Sequence, residues 1–68
     1  MADKTYKMVE LVGTSKESFA KAADTAVRKA AESLHGLDWF EVTEMRGRID
    51  DGKVVQYQVK LKVGFRID

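Results

Sequence analysis

The dipeptide Asp51-Gly52, followed by fifteen residues of almost unbroken alternation, constrains this chain more than any other feature. Both residues tolerate the positive φ that the central positions of a tight hairpin turn require. After the turn, Val55, Tyr57, Val59, Leu61, Val63, Phe65 and Ile67 share one side of an extended strand. Gln56, Gln58, Lys60, Lys62 and Arg66 share the other, because successive side chains in a strand point to opposite faces. The pattern predicts a strand over Lys53 to Ile67, with one apolar face for a core and one polar face.

Its hairpin partner is expected from Leu37 to Asp50. Phe40 and Val42 fit the core face there, but Met45 and Ile49 have the opposite parity, which calls for a bulge near Thr43-Glu44 or for cover on both faces. A turn at Asp51-Gly52 pairs residues whose numbers sum to about 103, placing Trp39 opposite Gly64 and Gln58 beside Met45, with Arg46 close by. If Phe40 and Val42 face the core, Trp39 faces away from it.

Upstream, Thr5 to Val12 carries strand-favouring residues (Tyr6, Met8, Val9, Leu11, Val12) and is expected to end at Gly13. Phe19, Ala22, Ala23, Ala26, Val27, Ala30 and Leu34 then recur at spacings of three and four, the apolar stripe of a helix. Thr14 and Glu17 have capping-box spacing, and Gly36 is placed to stop the helix. Glu17 with Lys21 and Asp24 with Arg28 are i,i+4 pairs on its wet side. A stripe made mostly of alanine lets the helix lie close to whatever it packs on. The expected fold is α+β, strand-helix-strand-strand, with a three-stranded antiparallel sheet packed around one helix in a single domain over residues 1–68.

With 68 residues the chain buries only about 60% of the surface its unfolded form exposes, so it is marginal alone. No cysteine is present, which removes disulfides and thiolate metal sites, and one histidine, His35, supports no imidazole zinc site. Association is the remaining remedy, and a hairpin longer than one short helix can shield asks for it independently. Twelve basic against eleven acidic residues, net +1, argue against a nucleic-acid module. No apolar run approaches the roughly 18 residues of a membrane span, and Met1-Ala2-Asp3-Lys4 lacks a signal-peptide core, so a cytoplasmic protein is expected.

Trp39, the only tryptophan, has two readings. It is an interface anchor, as tryptophan commonly is, or a stacking platform whose large π face suits a planar ligand. Gln58 is either an ordinary wet strand residue or an amide that reads a heterocycle edge with paired donor and acceptor. Arg46 can bind phosphate or fix a carboxylate. Lys4, Lys7, Lys60, Lys62 and Arg66 matter as phosphate sites only if assembly gathers them. Trp39 and Gln58 stand six positions apart along the hairpin, roughly 20 Å, so they share a ligand only between subunits or where the strands bend strongly. Catalytic patterns are absent: there is no cysteine nucleophile, no carboxylate placed on His35 and no phosphate-loop glycine spacing.

The strings VELVGTS (Val9 to Ser15), LDWFEV (Leu37 to Val42), Met45-Arg46-Gly47, YQV (Tyr57 to Val59) and VGFR (Val63 to Arg66) together resemble the dodecin family, in order and over essentially the whole chain. The resemblance implies a hollow homododecamer with cubic symmetry that stores flavin and protects against its photochemistry, and is not an enzyme. Flavins would lie in pairs at two-fold interfaces between tryptophans, with Trp39 as the stacking residue, Gln58 on the isoalloxazine edge and Arg46 nearby. Near-neutral charge and Arg46 lean toward FMN over riboflavin. Some members also bind coenzyme A, and Lys4, Tyr6, Lys29 and Arg66 stand at positions like those that contact it. The implied partners are further copies of the chain and the small-molecule flavin, with no nucleic acid or membrane.

Overall fold

A computed structural model describes residues 3–67. Strand β1 (Thr5–Ser15) is followed by helix α1 (Phe19–Ala31) and by the hairpin of β2 (Leu37–Asp50) and β3 (Lys53–Ile67). The three strands form one antiparallel sheet in the order β1-β3-β2. The strongest alternating segment is therefore the central strand, where both edges are hydrogen-bonded and register is most tightly specified.

The hairpin follows the sequence closely. Asp51 and Gly52 take φ of 52° and 73°, the left-handed pair that a two-residue turn demands. Pairing starts at Asp50↔Lys53, and Trp39 falls opposite Gly64 as expected. Gln58 is one position off: it pairs with Arg46 rather than Met45. The displacement comes from the register shift at Arg48/Ile49; the shift at Val42/Glu44 cancels it, which is why Trp39 meets Gly64 as expected, and a third shift follows at Leu37/Trp39. Of the two explanations for the parity change, the shift at Val42/Glu44 is the bulge, and it returns Met45 to the side of Phe40 and Val42, opposite Val59.

Alanine sets the distance between α1 and the sheet. Ala22, Ala23 and Ala26 pack on Val59, Leu61 and Val63, with Val9, Leu11, Phe19, Val27 and Leu37 around them. Phe19 meets Tyr57 edge-on at 5.0 Å. The closest approach is at Gly13, where a Cβ would overlap the Ala22 carbonyl oxygen and lie 2.9 Å from the Ala26 Cβ. Gly13 thus does not end β1, as its identity suggested. It sits inside the strand, paired with Val59, because only a residue without a side chain admits the helix there.

Both helix ends also differ from expectation. The N-cap is Ser18, whose hydroxyl accepts from the Lys21 N–H at 3.0 Å, while Ser15 accepts from Glu17 N–H at 2.9 Å. Thr14 is still in β1, paired with Gln58, so the Thr14–Glu17 box does not form. Helix α1 ends at Ala31, and its last carbonyls are met by tighter bonds, Glu32 N–H to Lys29 O at 3.2 Å and Ser33 N–H to Ala30 O at 3.2 Å. Gly36 does adopt positive φ, 71°, but in the link to β2 rather than as the cap. The two i,i+4 pairs are present, Lys21–Glu17 at 3.7 Å and Arg28–Asp24 at 2.8 Å.

One short helix does not shield this sheet. Packing of α1 is on β1 and β3, and Phe40, Val42 and Met45 of β2 remain 52%, 43% and 58% exposed. The Cα radius of gyration is 14.2 Å and the long axis 56 Å, against about 11 Å for the radius of a compact domain of this length. The hairpin projects as an arm with apolar residues on it, including Ile49 at 72% exposure, more bare apolar surface than a small monomer usually carries.

Candidate functional site

The outer face of the sheet, away from α1, carries Trp39 toward one end and Gln58 toward the other. Trp39 lies across the β3 backbone at Gly64. A Cβ added to Gly64 would clash with Cζ2, Cε2 and Cη2 of the indole, so the missing side chain is what lets the ring settle there. Tyr6, which β1 places opposite Arg66, meets the indole edge-on with centroids 4.9 Å apart and planes at 66°, a geometry that aromatic quadrupoles favour. The indole is therefore braced from below and from one edge while 40% of the residue stays exposed. The Asp38 carboxylate, hydrogen-bonded to the Tyr6 phenol, raises its pKa above 10.0, partial desolvation adds to this, and Arg66 opposes it. Tyr6 is consequently a neutral donor at physiological pH.

At the other end, Arg46 and Gln58 face each other across β2 and β3. Arg46 Nε donates to Gln58 Oε1 at 2.7 Å, and Gln58 Nε2 donates to Gln56 Oε1 at 2.8 Å. Glu44 Oε1 is 3.6 Å from Arg46 Nη1, and Lys60 lies 3.7 Å from Glu44 and 3.9 Å from Glu10. These ion pairs are largely exposed and add little stability; what they do is fix side-chain positions across three strands. Thr43, at the bulge, donates from Oγ1 to the Lys60 carbonyl at 3.2 Å, tying down the segment that carries Glu44 and Arg46. Trp39 and Gln58 do not meet within one chain: Gly64, under the indole, is six residues along β3 from Gln58, roughly 20 Å.

Two further concavities lie elsewhere, one beside the Trp39 end and one on the helix side of the sheet. Lys4, Tyr6 and Arg66 line one of about 320 Å³ with Gly36, Leu37 and Asp38, held in shape by the Arg66 N–H donating to Gly36 O at 3.1 Å. Three of the four basic or phenolic positions singled out in the sequence thus come together. Lys29 does not join them; it is exposed on α1, 3.3 Å from Glu32. The other concavity, about 410 Å³, is an apolar groove between α1 and β2, lined among others by Phe19, Ala23, Val27, Phe40, Val42 and Met45.

Gln56 and Asp38 escaped the sequence reading as members of these clusters. The signal for Gln56 was present, since it stands two residues from Gln58 on the same strand face. That for Asp38 was not, because the contact with Tyr6 spans the full width of the sheet. Among the described residues no three His, Cys, Asp or Glu side chains gather as a metal-holding group, and no described helix is long and apolar enough to cross a membrane.

The family model described as Dodecin matches residues 5–68. The chain is 52% identical over 65 residues to a dodecin of Thermus thermophilus, covering 96% of this chain and 94% of that one. It is 32% identical over 62 residues to the calcium dodecin of Mycobacterium tuberculosis, covering 91% and 87%. The solved dodecin of Streptomyces davaonensis superposes with a TM-score of 0.94 at 45% identity, covering 98% of each chain. Strand-helix-strand-strand order, a central alternating strand and a tryptophan laid over a strand glycine accompany a sequence match along nearly the whole chain, and the chain belongs to the dodecin family.

Proposed function

We propose that this protein binds flavin, FMN or riboflavin, between the subunits of a homododecamer built from a single dodecin-like domain, and that it stores the flavin and shields it from light. The observation that carries the proposal is Trp39: a half-exposed indole braced by Gly64 and Tyr6 on a face that one chain leaves open. Such a ring is a ready platform for a planar heterocycle. Gln58, on the same face, retains one amide hydrogen and one lone-pair direction beyond its two bonds in the chain. Those are what the carbonyl and N–H groups of an isoalloxazine edge require.

The roughly 20 Å between the two residues fits a two-fold axis through the outer face. Turning one subunit over brings its Trp39 end against the Gln58 end of the next, and each dimer then has two equivalent half-sites, hence a pair of flavins. Self-association is supported by the family and by the arm-like hairpin with its bare apolar residues. A bound flavin supplies light absorption, and Trp39 stacked on it can quench the excited state by donating an electron. Arg46 holds Gln58 and adds positive charge suited to the FMN phosphate. The same reading places coenzyme A as a second ligand at the Lys4, Tyr6 and Arg66 concavity, with Lys29 contributing from a neighbouring subunit. The protein acts as a binding protein in the cytoplasm, not as an enzyme. Calcium, which the name of the M. tuberculosis relative invokes, finds no clustered donor set within the described residues of one chain.

The test is Trp39→Ala, examined for flavin binding and for assembly by size-exclusion chromatography. Loss of flavin with retained assembly is expected. Retained flavin binding sinks the stacking role, and collapse of the assembly alone, with no flavin bound by the parent protein, makes Trp39 an interface anchor.

A further inference from the structure

Resting on that reading, we infer that Gln56 is a positioning residue that, with Arg46, fixes the amide of Gln58 and so holds the order in which its donor and acceptor meet the ligand. A guanidinium donates and cannot accept. The Gln58 atom 2.7 Å from Arg46 Nε is therefore the carbonyl oxygen, and its NH₂ is turned toward β3's own next outward residue. There it needs an acceptor, and Gln56 Oε1 supplies one at 2.8 Å. Arg46 dictates the oxygen side, and Gln56 satisfies the nitrogen side. With both bonds in place the amide cannot flip, and it shows the ligand one remaining donor and one remaining acceptor in a set order. Without Gln56, Gln58 keeps its bond to Arg46 but its NH₂ swings free, and a ligand must pay the ordering entropy on binding.

What Gln56 contributes is an acceptor, and that makes the claim separable from size or packing. Gln56→Met keeps length but removes the acceptor. Gln56→Glu keeps it. Gln56→Lys offers only a donor to a nitrogen that is itself a donor. Arg48, opposite Gln56, and Arg46 balance the charge that Glu brings. Riboflavin is the probe, since it has no phosphate for the new charges to attract or repel.

The experiment is a riboflavin fluorescence titration of the assembled protein and the three variants, with the Gln58 side-chain ¹⁵N–¹H resonances of the flavin-free proteins recorded in parallel. Gln56→Met and Gln56→Lys are expected to weaken binding about fivefold or more, the scale of one net hydrogen bond, and Gln56→Glu to stay near the parent. The one Gln58 amide proton that bonds Gln56, slow to exchange in the parent and in Gln56→Glu, is expected to lose that protection in the Met and Lys variants. Parent-like binding and amide signals in Gln56→Met overturn the inference while leaving flavin binding intact. A parent protein that does not quench riboflavin removes flavin binding and this inference together, so the two failures are told apart by the parent alone.

Discussion

Replacing Gly64 with alanine tests the geometry of the Trp39 platform without touching Trp39. The new Cβ clashes with three atoms of the indole's six-membered ring, and β3 is the central strand, bonded on both sides, so the backbone resists yielding. The indole must swing off. That gives up the edge-on contact with Tyr6, worth about 0.5–1.5 kcal/mol, and forces a strained rotamer at about 0.5–1.5 kcal/mol. Alanine regains about 0.5–1 kcal/mol over glycine in a strand interior, leaving a net destabilisation of about 1 kcal/mol. The effect on ligand is larger. Stacking of a nucleobase-sized heterocycle on an aromatic side chain contributes about 1–3 kcal/mol, roughly five- to 150-fold in Kd. Urea unfolding at fixed protein concentration, followed by far-UV circular dichroism, gives the first quantity, and titration of flavin gives the second. A small stability loss with a large affinity loss is expected. Unchanged affinity in a folded Gly64→Ala protein would refute the account of why glycine stands at that position.

Gly13→Ala should be costlier to stability than Gly64→Ala, because it meets the backbone carbonyl of Ala22 rather than a side chain that can turn. About 1–3 kcal/mol is expected from overpacking, read as a lower urea midpoint. Ser18→Ala should cost about 1 kcal/mol as a lost N-cap, whereas Thr14→Ala, away from the helix end, should leave α1 unaffected by the same measurement. In a Tyr57→Phe background, the ultraviolet titration of Tyr6 should show a midpoint above 10.0 that falls in Asp38→Asn, since Asp38 is the first cause of the rise. The sign follows: a folded pKa above the unfolded one means that the Tyr6–Asp38 interaction stabilises fully below about pH 10 and is lost as pH rises through the folded value.

The extent of the hairpin was legible because alternation and a positive-φ turn mark both strands, and Leu37–Asp50 and Lys53–Ile67 come out as expected; the pairing was one position off at Gln58, because the shift at Arg48/Ile49 leaves no mark in the alternation. The bulge near Thr43-Glu44 was legible from a single parity change. Gly13 was misread because a glycine that ends a strand and one that admits a helix look alike in sequence, and only the position of Ala22 tells them apart. The helix caps were misread for a related reason. Thr14 and Ser18 both suit the role, and the choice depends on β1 running on through Ser15. For the site, residue type and face brought out Trp39, Arg46 and Gln58 as candidates, the family resemblance gave them roles, and the pairing arithmetic kept Trp39 apart from Gln58 while placing Arg46 beside it. Gln56 could be placed beside Gln58 by its spacing, but its bond to the Gln58 amide depends on Arg46 engaging the oxygen, and the contact of Asp38 with Tyr6 across the sheet left no signal in the sequence.

Flavin binding at Trp39 is tested most directly by titrating flavin-free protein with FMN and with riboflavin while following flavin emission. Strong quenching that saturates near one flavin per chain is expected, with FMN the tighter ligand. Undiminished emission with both flavins would contradict the account and leave Trp39 as a contact between subunits.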